Sequence, residues 1–278
     1  MHRDVIEALL CQDLSGNLLP LGHLAESGLL TGPEASWLGA WGGSARAGRA
    51  RLLGGVLRVG AHPGGWAAAT PFGEIGAVEA LGAAMAGRTI DLILAPRAPA
   101  DALWRGLGRP APKLWSDHLL AVCTRVSEGP RLPLRLARLS ELDAVADMAA
   151  ELEREDMGDD PRLSDPELHR ETVARKIQHG QIWLGERDGA VVFKGDVGLS
   201  FSRGALVGSL WVSPARRGEG LGAAGVRALC DRLLQGTPRV GLHVAEGNLA
   251  ARAAYRRAGF EEAGPFRLFL GPAPAPPR

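Results

Sequence analysis

The sequence predicts a mixed α/β fold, an α+β sheet protein built as two related halves. Three observations predict it. Strand-like and helix-like segments alternate along the whole chain, with extended runs grouped ahead of apolar helices. The order three strands, helix, strand, helix, strand occurs before residue 126 and again after residue 133, the pattern of an internal structural repeat with eroded sequence. Between the two halves, residues 127–133 (SEGPRLP) are polar, carry two prolines and separate two apolar runs, as a domain boundary does.

In the first half, residues 5–10 and 18–30 space their apolar side chains as helices do. Residues 37–41, 51–59 and 66–70 are short apolar runs that read as strands. Residues 75–85 form a helix of small residues, followed by a strand at 90–94, a helix at 100–107 and a strand at 118–124.

In the second half, residues 134–138 read as a strand. Ser140 is placed to cap a helix running to about residue 155, on which Leu142, Val145, Ala146, Met148 and Leu152 recur at helical spacing. Asp165-Pro166 opens the next helix, toward Gln178, because proline suits the first helical position. The runs 182–187 and 190–201 flank Asp188-Gly189, a two-residue hairpin signal. The run 205–212 follows through Ser202-Arg203-Gly204. After Pro214 come a glycine-rich loop, an apolar helix at 223–234, a strand at 240–244, a helix at 248–258 and a last strand at 266–270. The expected domains are residues 1–126 and 133–271. The tail 272–278, alternating proline and alanine, is expected to be disordered.

A chain of 278 residues suffices for two modest domains, and 46% hydrophobic with 23% charged residues is the balance of a soluble globular protein. The net charge of +1 supplies no global pull toward nucleic acid, so an anion site must be local. The 3 cysteines, Cys11, Cys123 and Cys230, are odd in number and unpaired in spacing, which points to a reducing compartment. Cys230 lies on an apolar helical face, where packing is its expected role. The N-terminal residues lack the apolar core of a signal peptide, and no run approaches the roughly 18 apolar residues that span a bilayer. A cytoplasmic monomer or homodimer with no nucleic-acid or membrane partner is expected. Scattered histidines without a Cys/His cluster predict no metal. Trp37, Trp41, Trp66, Trp104 and Trp115 crowd the first half, with core packing as their expected role.

The chemistry concentrates at residues 216–222 (RRGEGLG), between a strand ending at Val212 and a helix beginning near Gly222. Backbone N–H groups are unsatisfied at such a helix start, and the helix dipole is positive there. Glycines at 218, 220 and 222 let the backbone approach an anion, and Arg216 and Arg217 add fork-shaped donors suited to phosphate. A diphosphate needs this combination of several convergent donors. Residues 220–225 (GLGAAG) also spell a dinucleotide-binding fingerprint, with Glu246 about 20 residues further on. Against that reading, the preceding strand is the third of a meander, and Pro214 with two arginines intervenes before the glycines. A plain glycine-rich turn is the remaining alternative.

A second motif stands downstream at residues 248–260 (NLAARAAYRRAGF). The pair R-x-x-G-x-G, from Arg217 to Gly222, and N-x-x-A-x-x-x-Y-x-x-x-G-F resembles the GCN5-related N-acetyltransferase (GNAT) superfamily, over roughly residues 134–270. More narrowly, Val192-Phe193-Lys194-Gly195, the strand 208–212 and the long N-terminal partner resemble an actinobacterial-type family in which a poorly characterised N-terminal domain precedes a GNAT domain. The resemblance implies tandem GNAT-like domains, the N-terminal one degenerate and the C-terminal one complete, using acetyl-CoA as cosubstrate. It implies that the strand ending at Val212 and the strand 240–244 splay apart. The pantetheine arm would enter the gap along Leu210, Trp211 and Val212. The pyrophosphate would sit on the amides of Arg217, Gly218, Glu219, Gly220, Leu221, Gly222 and Ala223, with Asn248, Ala251 and Tyr255 completing the cofactor contacts. It also implies direct attack of an amine on the thioester, Tyr255 as general acid and the Val212 amide as oxyanion donor. Tyr255 is the 1 tyrosine of the chain, and Asn248 is a natural N-cap for its helix.

The general base stays open, because the strand 205–212 (ALVGSLWV) carries no carboxylate where many family members place a glutamate. Candidates are Glu153, Glu155, Asp156, Asp196, Glu246 and His243, or a chain of water molecules. In the first half the matching loop, residues 70–76 (TPFGEIG), lacks the arginine and the close glycines. It places Glu74 where a phosphate would sit, so that half is expected not to bind CoA. The acceptor is an amine of a small molecule, a peptide or a lysine. A non-catalytic acyl-CoA-binding module is the second reading, and an aminoacyl-tRNA-dependent transferase of tandem fold the third.

Overall fold

A computed structural model describes residues 3–29, 35–43, 50–60, 67–88, 90–109 and 111–271; Trp66 and the tail 272–278 lie outside them. The chain runs through α1 (Arg3–Leu10), α2 (Leu18–Ser27), β1 (Ala35–Gly42), β2 (Arg51–Val59), β3 (Ala68–Gly73), α3 (Ile75–Ala84), β4 (Leu92–Pro96), α4 (Arg97–Gly106) and β5 (Leu114–Cys123). It continues through β6 (Leu134–Leu136), α5 (Leu142–Met157), α6 (Pro161–Ser164), α7 (Pro166–Gln178), β7 (Ile182–Arg187), β8 (Ala190–Phe201) and β9 (Gly204–Val212). Last come α8 (Leu221–Leu233), β10 (Val240–Ala245), α9 (Leu249–Ala258) and β11 (Glu261–Leu270).

These elements form two compact units. One is Met1–Leu120 with Ala245–Gly247 and Ala263–Arg278; the other is Ala121–Val244 with Asn248–Glu262. The division differs from the expected 1–126 and 133–271 chiefly at the last strand. Phe266 to Leu270 pair antiparallel with Pro96 to Leu92, so β11 is a strand of the first unit. An apolar run announces a strand without naming its partner, and the partner here lies far back in the sequence.

In the first unit the sheet order is β1-β2-β3-β4-β11-β5. β1, β2 and β3 form an antiparallel meander. β3 and β4 are parallel and pair only at Ala68↔Leu92 and Ala69↔Ile93 before separating. Val56, Val78, Ile93, Leu103 and Phe269 form its core. Of the tryptophans, Trp104 packs against Trp115 with the rings tilted by 57° and 4.6 Å between ring centres, Trp115 meets Phe269 edge-on and Trp37 meets Phe72, whereas Trp41 is exposed.

In the second unit the order is β10-β9-β8-β7-β6. The two-residue turn of the β7–β8 hairpin places Asp188 and Gly189 at φ 54° and 77°, the left-handed pair that matches strand twist. α7 starts as its sequence dictates, with the Asp165 carboxylate accepting from the Leu168 N–H at 3.1 Å and Pro166 at the first position. Ser140 does not cap α5. Residues Leu139–Glu141 form one tight 3₁₀ turn ahead of the helix, and the Glu141 carboxylate takes the Arg138 N–H at 2.9 Å. The short α6 had no sequence counterpart. Val145, Ala146, Val173, Ile177, Ile182 and Leu184 pack α5 and α7 onto one face of this sheet. On the other, Phe193 lies against α8, where a Cβ at Gly225 would sit 2.5 Å from its ring. That contact accounts for the third glycine of the dinucleotide look-alike: it lets helix meet strand.

Candidate functional site

β9 and β10 are parallel and pair only at Ala205↔Val240 and Leu206↔Gly241. Beyond Leu206 they separate, leaving β9 with an open edge on that side. Which backbone groups face the opening follows from the β8–β9 ladder. The Ser213 N–H donates to Val192 O at 3.1 Å, and Phe193 lies opposite Val212. In an antiparallel ladder the bonding direction alternates from residue to residue. Val212 therefore turns its N–H and C=O away from β8, toward the gap.

That parity depends on an irregularity. The Ala205 N–H donates to Arg239 O, on the β10 side. Counting forward in twos from there would send 211, not 212, toward the gap. The β8–β9 register shifts between Lys194 and Asp196, where Asp196 pairs with Gly208 but Lys194 with Trp211. One extra residue of β9 is a bulge at Ser209–Leu210, and it reverses the alternation. Ser209 has φ 48°, a left-handed conformation that costs a non-glycine residue about 1–2 kcal/mol. Leu210 packs toward Gly195, where a Cβ would lie 2.9 Å from its methyl group.

After β9, Pro214–Arg216 make one 3₁₀ turn and the glycine loop follows. Gly218 and Gly220 adopt φ 87° and 78°, and the space where their Cβ atoms would stand is open. Only glycine takes such angles without strain. The first helical bond of α8 is from the Ala224 N–H to Gly220 O, so the N–H groups of Leu221, Gly222 and Ala223 form the unbonded first turn. Gly222 adjoins Val212 and Ala254, a Cβ there standing 3.4 Å and 3.9 Å from them. Strand end, helix start and α9 thus meet at one place.

The two arginines are engaged with carboxylates. Arg216 binds Glu219 at 2.6 Å and Asp188 at 3.3 Å, which holds the Glu219 carboxyl below its usual range. Arg217 binds Glu155 at 2.9 Å and donates from Nε to Val212 O at 3.3 Å. Both pairs are solvent-accessible, where an ion pair is worth only about 0–1 kcal/mol, so an incoming phosphate competes for them at small cost.

α9 is fixed at both ends. The Asn248 side chain accepts from the Ala251 N–H at 3.1 Å. At the far end the Gly259 N–H bonds Arg256 O at 3.1 Å and the Phe260 N–H bonds Tyr255 O at 3.0 Å, the 5→2 and 6→1 bonds of a Schellman motif. Phe260 folds back so that its ring lies 6.1 Å from that of Tyr255. The glycine and phenylalanine of the second motif therefore anchor the turn that carries Tyr255. Tyr255 itself is half-buried. Loss of water around its hydroxyl, then the nearby Asp156 carboxylate, push its pKa well above the ordinary tyrosine range.

The base candidates separate clearly. Asp196 is 4% exposed and bonded to Lys194 and Lys176, so it is closed to a substrate. Glu246 belongs to the first unit and is paired there with Arg97. Glu155 holds Arg217. Asp156, at the end of α5, acts on Tyr255, and loss of water with the neighbouring Glu155 raises its own pKa. His243 sits half-buried on β10, and Glu153 lies on α5. Sequence reasoning missed Glu151, one helical turn before Glu155, which accepts from the Trp211 indole N–H at 3.0 Å. The i, i+4 spacing of the two glutamates was the available signal. Among the described residues no group of three or more His, Cys, Asp or Glu is arranged to hold a metal, and no helix is long and apolar enough to cross a membrane.

Residues 146–260 match the family described as "Acetyltransferase (GNAT) family". Among curated proteins none matches the sequence significantly. Among solved structures the chain is similar to an acetyltransferase from the GNAT family from Colwellia psychrerythraea (14% identity, 98% of each chain, TM-score 0.56). It is similar to a GCN5-related N-acetyltransferase from Sphaerobacter thermophilus (16% identity, 95% of this chain and 90% of that one, TM-score 0.56). It is similar as well to a tandem GNAT protein from the clavulanic acid biosynthesis pathway (14% identity, 98% and 94%, TM-score 0.54). At these identities the likeness is one of fold, and it extends over both units.

Proposed function

Residues 146–260 belong to the acetyltransferase (GNAT) family, and on that premise we propose that the protein transfers an acetyl group from acetyl-CoA to an amine by direct attack. The observation that carries the reading is the convergence of the Val212 N–H, the first turn of α8 and α9 on the gap left by β9 and β10. The pantetheine arm would run along Leu210, Trp211 and Val212. The amides from Arg217 to Ala223 would take the pyrophosphate, with Asn248 and Ala251 flanking it. The amine nitrogen attacks the thioester carbonyl; the C–N bond forms, and the oxyanion is met by the Val212 N–H. The C–S bond then breaks, and the Tyr255 hydroxyl gives its proton to the leaving thiolate. Asp156, whose pKa is raised by loss of water and by Glu155, takes the proton that the nitrogen carries once the C–N bond has formed, and that proton then passes to the Tyr255 oxygen, which restores both groups. We place the reaction in a soluble, cytoplasmic protein.

Release of free CoA thiol, followed across a panel of small amines, peptide N-termini and lysine peptides, tests the reading. Turnover with at least one class is expected. Binding of acetyl-CoA without turnover on any of them would leave the non-catalytic acyl-CoA-binding module in its place, a reading favoured by the absence of a carboxylate from β9.

A second expectation concerns the first unit. Its splayed pair, β3 and β4, has Glu74 as the N-cap residue of α3, with the carboxylate bonded to Arg51 at 2.6 Å. A carboxylate there repels the phosphate that the equivalent place in the second unit would take. Calorimetric titration with acetyl-CoA is expected to give one site per chain; a stoichiometry of two would overturn the assignment.

A further inference from the structure

Lys194 is 0% exposed although it is a lysine. Its side chain leaves β8 on the face that carries α5 and α7 and ends in two hydrogen bonds. The ammonium donates to Asp196 Oδ1 and, at 3.3 Å, to Ser209 O. Asp196 is in turn held through Oδ2 by Lys176 of α7 at 3.0 Å. The cluster runs from a part-exposed lysine through a buried carboxylate to a buried ammonium, and it stops at the one residue of β9 with a left-handed backbone. A buried ammonium is retained only where it is paired and its donors are used. Asp196 supplies the pairing, and a second donor goes to the Ser209 carbonyl at the bulge.

We propose that Lys194, held by Asp196 and Lys176, is a positioning residue: it fixes the bulge at Ser209 and so aims the Val212 N–H into the gap between β9 and β10. The proposal rests on the acyl-transfer reading for its kinetic consequence and on backbone geometry alone for its structural one. Without the bulge, the alternation along β9 returns the Val212 N–H to β8 and presents Trp211 to the gap. The Lys194 ammonium touches no reacting atom, so its effect is on kcat through the amide and not on retention of the CoA pyrophosphate, which the α8 loop holds separately.

Three variants test this, Lys194→Met, Ser209→Gly and the two combined, each read by acetyl-CoA titration, by kcat and KM, and by hydrogen exchange over residues 204–213. Lys194→Met keeps the volume of the side chain and leaves Asp196 paired with Lys176; a Lys194→Met, Asp196→Asn double variant covers the case in which the single change does not fold. Lys194→Met is expected to speed exchange at 209–212, to lower kcat at least 30-fold and to leave the Kd of acetyl-CoA within threefold. Ser209→Gly alone is expected to change little. Added to Lys194→Met it is expected to restore slow exchange and at least tenfold of the lost kcat, because glycine holds the left-handed angle unaided. Unchanged exchange in Lys194→Met, or no recovery when Ser209→Gly is added to it, overturns the proposal. If the wild-type protein turns over no amine, the acyl-transfer reading fails while the exchange result still decides the role of Lys194.

Discussion

Replacing Tyr255 by phenylalanine is expected to lower kcat by about 10²–10⁴-fold, the range in which one positioned proton donor contributes, while acetyl-CoA still binds. The ring stays, and with it the packing against Phe260 and the Schellman turn, which uses the backbone carbonyl of residue 255. Only the hydroxyl is lost. The pH dependence gives an independent check. Because loss of water and Asp156 raise the Tyr255 pKa, the hydroxyl keeps its proton beyond the ordinary value of about 10. The rate of the wild-type enzyme is therefore expected not to fall at that pH through loss of this acid. Asp156, also raised, loses its basic form earlier on acidification than an ordinary carboxylate does, so the acidic limb shifts upward. The linkage to stability has a matching sign. A tyrosine whose folded pKa exceeds its unfolded one binds its proton more tightly in the native state, and that contribution is lost as pH rises above about 10 toward the folded value. The phenylalanine variant lacks that alkaline loss. Turnover equal to wild type would remove Tyr255 from the mechanism.

Gly259→Ala is expected to destabilise the second unit by about 2–5 kcal/mol, a large part of the 5–15 kcal/mol by which a domain is ordinarily stable. Two effects act together. The residue sits at φ 106°, which an L side chain adopts only under strain of about 1–3 kcal/mol. A Cβ would also stand 2.5 Å from Arg125 O and 2.9 Å from the Ser127 N–H, which is itself bonded to Ala258 O. Neither neighbour is a flexible side-chain tip, so backbone must shift. Urea titration is expected to show a lower midpoint with unchanged slope. An unchanged midpoint would mean that the turn relaxes freely, and the anchoring of Tyr255 described above would then be wrong.

The legible parts of this fold are those in which a local rule fixes the outcome. β2, β7 and β8 fall where their apolar runs place them, the Asp188-Gly189 turn closes its hairpin, and Asp165-Pro166 opens α7. Asn248 caps α9 as its position after a strand suggested. What escaped reading depends on distant partners. Nothing in the run ALVGSLWV marks Ser209 as left-handed; the bulge exists because of what lies opposite, Gly195 and the Lys194 ammonium. Glu151 reads as one more acid on a solvated helix until Trp211 is placed against it. Arg216 and Arg217 look like free cations in the sequence, and their carboxylate partners come from positions 188 and 155 as well as from the adjacent Glu219.

The placement of β11 bears on how the chain is made. Phe269, a member of the first unit's core, emerges from the ribosome long after Leu103 of the same core and after Ile93, which it lies opposite in the sheet. During synthesis the edge of β4 that β11 will occupy waits unpaired, an exposed template for the wrong strand. The first unit, though encoded first, is completed last. A nascent chain halted before residue 266 has the residues of the second unit but not the last strand of the first, so the open edge of β4 is the place where a non-native strand can pair.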